Sequence, residues 1–151
     1  MPDLTFRDAK LADIPALERL MDEDAFGAAR DPVLTTREDH ERALLQIEAD
    51  PNNRIILAES SGSVVGTFQL TFIPGIARRG NLRGLIESVR VAQAARGGGI
   101  GAAMMHHAIA LCRARGCHLV QLTSDLGRPD AHRFYERLGF VATHAGFKMT
   151  I

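Results

Sequence analysis

Arg96-Gly97-Gly98-Gly99-Ile100-Gly101 joins an apolar, β-branched run (Leu85 to Val91) to a helical pattern (Ala102 to Arg115). A strand, a glycine-rich turn and a helix N-terminus in that order can bind phosphate. The first-turn N–H groups lack intrahelical partners, the macrodipole adds partial positive charge there, and glycine lets the backbone approach an anion with φ > 0. Gly97 to Ala102 also satisfies G-x-G-x-x-A, but four residues (Ala92 to Ala95) separate the strand from Arg96. The dinucleotide fingerprint belongs to the tight turn directly after a first strand, so that match is weak. No Lys-Ser/Thr pair follows the glycines, which removes a Walker A loop.

The spacing fits a third pattern, Arg/Gln-x-x-Gly-x-Gly/Ala, with Arg96, Gly99 and Gly101 in its defined places. Downstream, Ala131-His132-Arg133-Phe134-Tyr135-Glu136-Arg137-Leu138-Gly139-Phe140 reads as A-x-x-F/L-Y-x-x-x-G-F, and Phe6-Arg7-Asp8-Ala9 with Asp13 reads as an opening strand and helix entry. In these segments, which run from residue 6 to 140, the chain resembles the GNAT superfamily of acyl-CoA-dependent N-acetyltransferases. The resemblance implies one domain over residues 1–151. It also implies a mixed, mostly antiparallel central sheet of six or seven strands, flanked by about four helices around a central βαβ cofactor site.

It further implies an acetyl group passed from acetyl-CoA, the co-substrate, to a primary amine by direct attack in a ternary complex. Backbone N–H groups of Gly97, Gly98, Gly99, Ile100, Gly101 and Ala102 would hold the pyrophosphate, each charge-assisted bond contributing roughly 1.5–3 kcal/mol. Arg96 would act there more through its backbone than its side chain. Val89, Arg90 and Val91 would offer strand backbone to the pantetheine amides and an N–H to the oxyanion. Tyr135, the only tyrosine, occupies the place of the family's general acid. A phenol titrates near about 10 and a thiol near about 8.5, so a tyrosine can hold the proton a departing thiolate needs. Packing against Phe134 or Phe140 is the competing reading of the same ring.

The attacking amine must first lose a proton, which for an alkyl amine at pH 7 costs roughly 4.6 kcal/mol. Glu87, the sole acid of an otherwise apolar strand, is the candidate base or amine ligand; strict alternation places it on the face of Val89 and Val91. An edge ion pair with Arg83 or Arg90 is its alternative. Arg128 stands where the family commonly has a cofactor-contacting Asn, so Ser124 or Asp130 would substitute. His132 and His144 are candidates for the acceptor pocket border. His106 and His107 read as solvated, and no spacing in the chain builds a metal site.

These groups need a scaffold, and the chain supplies one. Leu4 to Arg7 reads as a strand, followed by a helix capped by Asp13 with Ile14, Leu17, Leu20 and Met21 on one face. A capping box at Thr36 to Asp39 opens a second helix with Ala43, Leu44 and Ile47 inward. Arg54 to Glu59 and Val64 to Phe72 form a hairpin about Ser60 to Ser63, and Leu82 to Val91 is the central strand. The third helix ends at Gly116, His118 to Thr123 is a strand, and Pro129 opens a fourth helix. Val141 to His144 and Phe147 to Ile151 predict a closing hairpin. The acceptor pocket would lie among Gly27 to Leu34, Pro74 to Arg83 and that hairpin. Asp22, Glu23 and Asp24 suit a cationic acceptor; Arg78, Arg79 and Arg83 equally suit a carboxylated one.

Composition sets outer bounds. The chain has 151 residues, 18 basic and 18 acidic, so no net field attracts nucleic acid or an acidic membrane. No apolar run approaches the roughly 18 residues of a membrane span. Met1-Pro2-Asp3 begins neither a basic nor an apolar leader segment, and cytoplasmic residence is expected. Cys112 and Cys117 suit reduced thiols rather than a disulfide framework. A small-molecule amine is the expected partner, and a homodimer in the family's style is compatible. Two other classes stay open: a non-catalytic acyl-CoA-binding regulatory module, and a nicotinamide-dinucleotide-binding fragment.

Overall fold

The computed structural model describes residues 3–24 and 35–151. It divides into two compact units, Met1–Gln121 and Leu122–Ile151. The elements are β1 (Leu4–Asp8), α1 (Ile14–Asp22), α2 (Arg37–Ala49), β2 (Asn53–Ser60), β3 (Ser63–Pro74), α3 (Ala77–Gly80), β4 (Leu82–Val91), α4 (Ile100–Arg115), β5 (Leu119–Leu122) and α5 (Pro129–Arg137). Among the described residues the sheet thus has five strands, fewer than the six or seven expected, and five helices stand where about four were expected. The third helix is a single turn in which Arg78 and Arg79 take left-handed angles. The class is the expected mixed α/β one.

The strands lie in sequence order, and β1 to β4 pair antiparallel. Ser61 (φ 51°) and Gly62 (φ 75°) make the tight β2–β3 turn, whose two positive angles match the twist of the flanking strands. At the other edge His118 N–H donates to the Leu82 carbonyl at 3.0 Å, start of β5 to start of β4, so these two run in parallel across α4.

Period-two alternation sorts the core into two layers. On one face Leu57 packs with Ala9, Ile14, Leu17 and Leu44, beneath α1 and α2. On the other, Ile56, Phe68, Leu70 and Ile86 are buried with Met104, Met105, Ala108 and Cys112 of α4. Burying each Leu, Ile, Phe or Met among them stabilises the fold by about 1.5–3 kcal/mol. Helix α4 comes close because β3 and β4 carry glycine beneath it: a Cβ on Gly84 would run into Cys112 Sγ, and one on Gly66 into Met104.

The helix ends show which local signals act alone. Thr36 and Asp39 form the reciprocal capping box of α2. Gly116 (φ 86°) closes α4 with Cys117 N–H on the Cys112 carbonyl at 2.9 Å and Gly116 N–H on that of Arg113. Asp13 precedes α1 without capping it by its side chain. Its carboxylate instead accepts from Arg7 at 2.7 and 2.8 Å, a charged, bidentate pairing, and from Lys10 N–H at 2.7 Å. Ala43 of α2 is exposed, leaving Leu44 as the helix's buried anchor.

The expected closing hairpin is absent. Residues 140–151 contain neither strand nor helix, and Val141, Phe147, Met149 and Ile151 are exposed. Alternation marks a strand, but a strand forms only where a neighbour completes its ladder. Among the described residues no helix is long and apolar enough to cross a membrane.

Candidate functional site

The turn ahead of α4 is built by backbone geometry. Gly97 (φ 82°) and Gly99 (φ 80°) both occupy the left-handed region, and Gly99 is the N-cap of α4. The first intrahelical bond is Ala103 N–H to the Gly99 carbonyl at 3.0 Å, so the N–H groups from Gly99 to Ala102 precede the helical ladder. Residues 96–99 are exposed and Ile100 is buried, which anchors the helix while leaving the turn open. A Cβ on Gly97 or Gly99 would meet nothing within 4 Å.

The Arg96 side chain is committed elsewhere. Its Nε donates to the Val91 carbonyl at 3.1 Å and its NH2 to the Glu23 carbonyl at 3.3 Å. Glu23 Oε2 also accepts from Gln93 N–H at 2.6 Å, and Asp24 pairs with Arg90 at 3.1 Å. The end of α1 is thereby fastened to the segment from β4 to the turn. Two of the three acids read as amine attractants, Glu23 and Asp24, have these internal partners, while Asp22 is exposed.

Strand β4 is bulged beside the turn. Glu87 pairs with Gln69 and Arg90 with Thr67, so Ser88 and Val89 together face Phe68. Ser88 takes φ 52°, a left-handed angle uncommon outside glycine. The extra residue changes parity: Glu87 shares its face with Arg90, not with Val89 and Val91 as strict alternation predicts. That face is the one α1 and α2 cover, and it also carries Arg83, which pairs with Ile73. Glu87 is exposed and forms no ion pair with Arg83 or Arg90; Arg90 turns to Asp24 instead. The carbonyls of Val89 and Val91 accept from Arg90 and Arg96 at 3.1 Å each.

The second unit holds Ser124, Arg128 and Tyr135, and they are described within it. Tyr135 lies on α5, its ring edge-on to Phe134 at 5.1 Å and to Phe140 at 6.0 Å. The Tyr135 carbonyl accepts from the N–H groups of Leu138 and Phe140, both at 3.1 Å, which closes the helix. Ser124 is half-buried in the loop after β5. Asp125 shapes that loop: its Oδ1 accepts from Gly127 N–H and its carbonyl meets His132 Nε2, both at 2.8 Å. Asp130 pairs with Arg133, and His144 is exposed beside Thr143.

Sequence reasoning missed three features. His107 is not solvated: its ring stacks on Phe6 at 4.1 Å, and burial, followed by the Arg54 charge, pushes its pKa down. The Asp24–Arg90 pair joins residues too distant for any local pattern. The Ser88 bulge has no compositional mark, since no glycine announces it. Gly27 to Leu34, expected to wall the acceptor pocket, lies outside the described residues. Among the described residues no group of three His, Cys, Asp or Glu side chains is placed to hold a metal ion.

Residues 15–140 match the model of the acetyltransferase (GNAT) family. The chain is 35% identical over 98 residues to aminoalkylphosphonate N-acetyltransferase of Salmonella typhimurium, covering 65% of this chain and 63% of that one. It is 34% identical over 90 residues to glucosamine 6-phosphate N-acetyltransferase of Trypanosoma brucei brucei, covering 59% and 58%. The match thus spans about three fifths of either relative. Among solved structures, a transcriptional regulator from Bacillus halodurans C-125 superimposes with TM-score 0.87 at 42% identity, over 98% of this chain and 99% of that one.

Proposed function

Because the chain belongs to the GNAT acetyltransferase family, we propose that it moves an acetyl group from acetyl-CoA to the primary amine of a small molecule. The observation that carries this reading is the exposed turn with two left-handed glycines at the N-terminus of α4, a few residues beyond a bulged strand. We treat residues 1–151 as one acetyltransferase domain, since the family match runs across both units, and we place it in the cytoplasm.

In this reading the amides from Gly97 to Ala102 take the pyrophosphate, with Arg96 holding the loop in shape through Val91 and Glu23. Val89, Arg90 and Val91 present backbone to the pantetheine arm, and Ser124 adds a contact from the loop after β5. Glu87 accepts the ammonium proton. The freed amine attacks the thioester carbonyl, and an N–H at the Ser88–Val89 bulge, outside the paired register, donates to the oxyanion. Collapse expels the thiolate, which takes the Tyr135 proton, and the second proton of the new amide nitrogen restores the phenol.

The acceptor we favour is an amine that also carries an anionic phosphorus group. Both curated relatives are named for such amines. Arg83 lies on the same face of β4 as Glu87, so one face offers a cation and a carboxylate to the two ends of a zwitterionic substrate. A second reading, a non-catalytic acyl-CoA-binding regulatory module, draws support from the solved relative named as a transcriptional regulator.

Acetyl-CoA-dependent thiol release tests both. The panel holds aminoalkylphosphonates, glucosamine 6-phosphate, amino acids, aminoglycosides and lysine peptides. Release with the phosphorus-bearing amines is expected. Thermal stabilisation by acetyl-CoA without release from any amine would transfer the assignment to the regulatory module, and no stabilisation by acetyl-CoA would remove both.

A further inference from the structure

The face of the sheet that carries Glu87 also carries a polar chain running across the strands. Gln69 of β3 is opposite Ile55 of β2 on one side and Glu87 of β4 on the other. Asn53 of β2, one step further along the same face, is opposite Thr71 of β3. Asn53 Oδ1 accepts from Gln69 Nε2 at 2.9 Å and from the Thr71 hydroxyl at 3.3 Å, which uses both of its lone pairs. All these residues belong to the first compact unit.

The chain of hydrogen bonds stops short of Glu87. A primary amide beside a carboxylate ordinarily turns its N–H groups toward it. Directly opposite residues have their Cβ atoms about 4.5–5.5 Å apart, so such a bond is within reach here. Asn53 holds the Gln69 amide the other way, with Nε2 committed to β2. Among the described residues of the first unit Glu87 accepts no hydrogen bond, and neither does Gln69 Oε1. Glutamine and glutamate side chains have equal length, so their head groups reach the same height above the sheet. Two acceptors thus stand on adjacent strands with no donor shared between them. An alkylammonium group, with three N–H donors and no acceptor, completes that arrangement.

We propose that Gln69 is the second ligand of the acceptor's ammonium group, beside Glu87, and that Asn53 is the positioning residue that keeps Gln69 Oε1 free for it. The assignment rests on the reading of Glu87 as the group that meets the amine. A carboxylate alone attracts any cation, whereas an amide oxygen adds a directional acceptor for one N–H. It also gives the nitrogen a hold that survives deprotonation. When one proton passes to Glu87, a second N–H stays on Gln69 Oε1, and the neutral amine remains in place.

The test is steady-state thiol release with an aminoalkylphosphonate and with glucosamine 6-phosphate, varying the amine and acetyl-CoA separately. Gln69→Met keeps the length and removes the acceptor. It should raise the amine KM about ten- to a hundredfold, the scale of one hydrogen bond to a charged group. The acetyl-CoA KM and kcat should stay within about threefold, as expected when uniform binding of one substrate is lost. Gln69→Glu keeps an acceptor at the same reach and should not raise the amine KM. Asn53→Leu frees the Gln69 amide to turn and should raise the amine KM, while Asn53→Asp, which still accepts from Gln69 Nε2, should not. An unchanged amine KM in Gln69→Met overturns the proposal, and so does an equal rise in both KM values, the mark of a loosened sheet. Should Gln69→Met fail to fold, the two Asn53 variants decide, and equal amine KM values in them overturn it. In each of these cases the unaltered protein still acetylates the amine, and the acetyltransferase reading stands. No thiol release by the unaltered protein from any amine overturns that reading and this proposal together.

Discussion

Arg90 of β4 and Asp24, just beyond the C-terminal end of α1, form an ion pair at 3.1 Å between two largely buried side chains. The bulge at Ser88 makes the pair possible, because it turns Arg90 onto the face that α1 covers. Glu23, the preceding residue, takes Gln93 N–H and lends its carbonyl to Arg96. Helix α1 therefore sets the position of the strand end and the glycine turn through two consecutive acidic residues.

Asp24→Ala is expected to cost about 1–3 kcal/mol, since it removes a charge-assisted contact between two largely buried side chains while Arg90 keeps its bond to the Val89 carbonyl. Urea unfolding followed by circular dichroism reads this directly as a lower midpoint at constant slope. A loss under about 0.5 kcal/mol, the scale of a surface pair, would mean the pair is solvated rather than structural.

The sequence shows clearly what depends on neighbours in the chain. The Ser61-Gly62 turn, the Thr36–Asp39 box and the Gly97–Gly99 loop all lie where residue type demands them, because each is decided within four residues. Long-range partners are not legible in this way. Asp13 reads as a cap until Arg7 competes for it, and Glu87 reads with Val89 until Ser88 adds a residue to the strand. The arm beyond Phe140 shows the same limit from the other side: alternation states that a strand is wanted without stating which edge receives it.

Gly84 lies directly beneath Cys112. Gly84→Ala would drive a methyl group into a short, buried side chain, and overpacking of this kind costs about 1–3 kcal/mol. Adding Cys112→Ala removes the sulfur that is struck. The double variant should be more stable than the sum of the two single losses by about 0.5–3 kcal/mol, the range for coupled neighbours. Thermal unfolding of the four proteins measures this, and strict additivity would remove the close approach as the cause.

Asp13 supplies an acid-sensitive contribution. Its hydrogen bonds from Arg7, more than the opposing burial, hold its pKa below the ordinary carboxylate value. A depressed folded pKa gives stability that is complete above the unfolded value, about 3.9, and is lost as pH falls through the folded one. The unaltered protein should therefore lose melting temperature below about pH 4 more steeply than Asp13→Asn. Parallel profiles for the two proteins would show that Arg7 and Asp13 contribute nothing through protonation.

Cys112 and Cys117 should differ in reactivity. Burial, with Cys117 adjacent, pushes the Cys112 pKa up to about 12. At pH 8 its thiolate fraction is then on the order of one in ten thousand, and the thiolate is the reactive form. A chromogenic disulfide reagent should titrate one thiol, Cys117, in the folded protein and two after denaturation. Two fast thiols in the folded state would contradict the packing of α4 on Gly84.

Glu87 and Tyr135 can be separated by the step each would serve. If Glu87 takes the amine proton, Glu87→Gln lowers kcat at pH 7 by a factor of about 10²–10⁴. The deficit then narrows as pH rises toward the amine's own pKa, about 10.4, because the free base becomes abundant without help. A residue that only orients the amine loses the same factor at every pH, so a flat ratio between pH 7 and 9 would exclude the base role. Tyr135→Phe should lower turnover at least tenfold, about 1.4 kcal/mol of barrier, while acetyl-CoA affinity stays within twofold. Its ring packs edge-on to Phe134 and Phe140, and phenylalanine retains both contacts. Unchanged turnover in that variant would remove Tyr135 from the acid role.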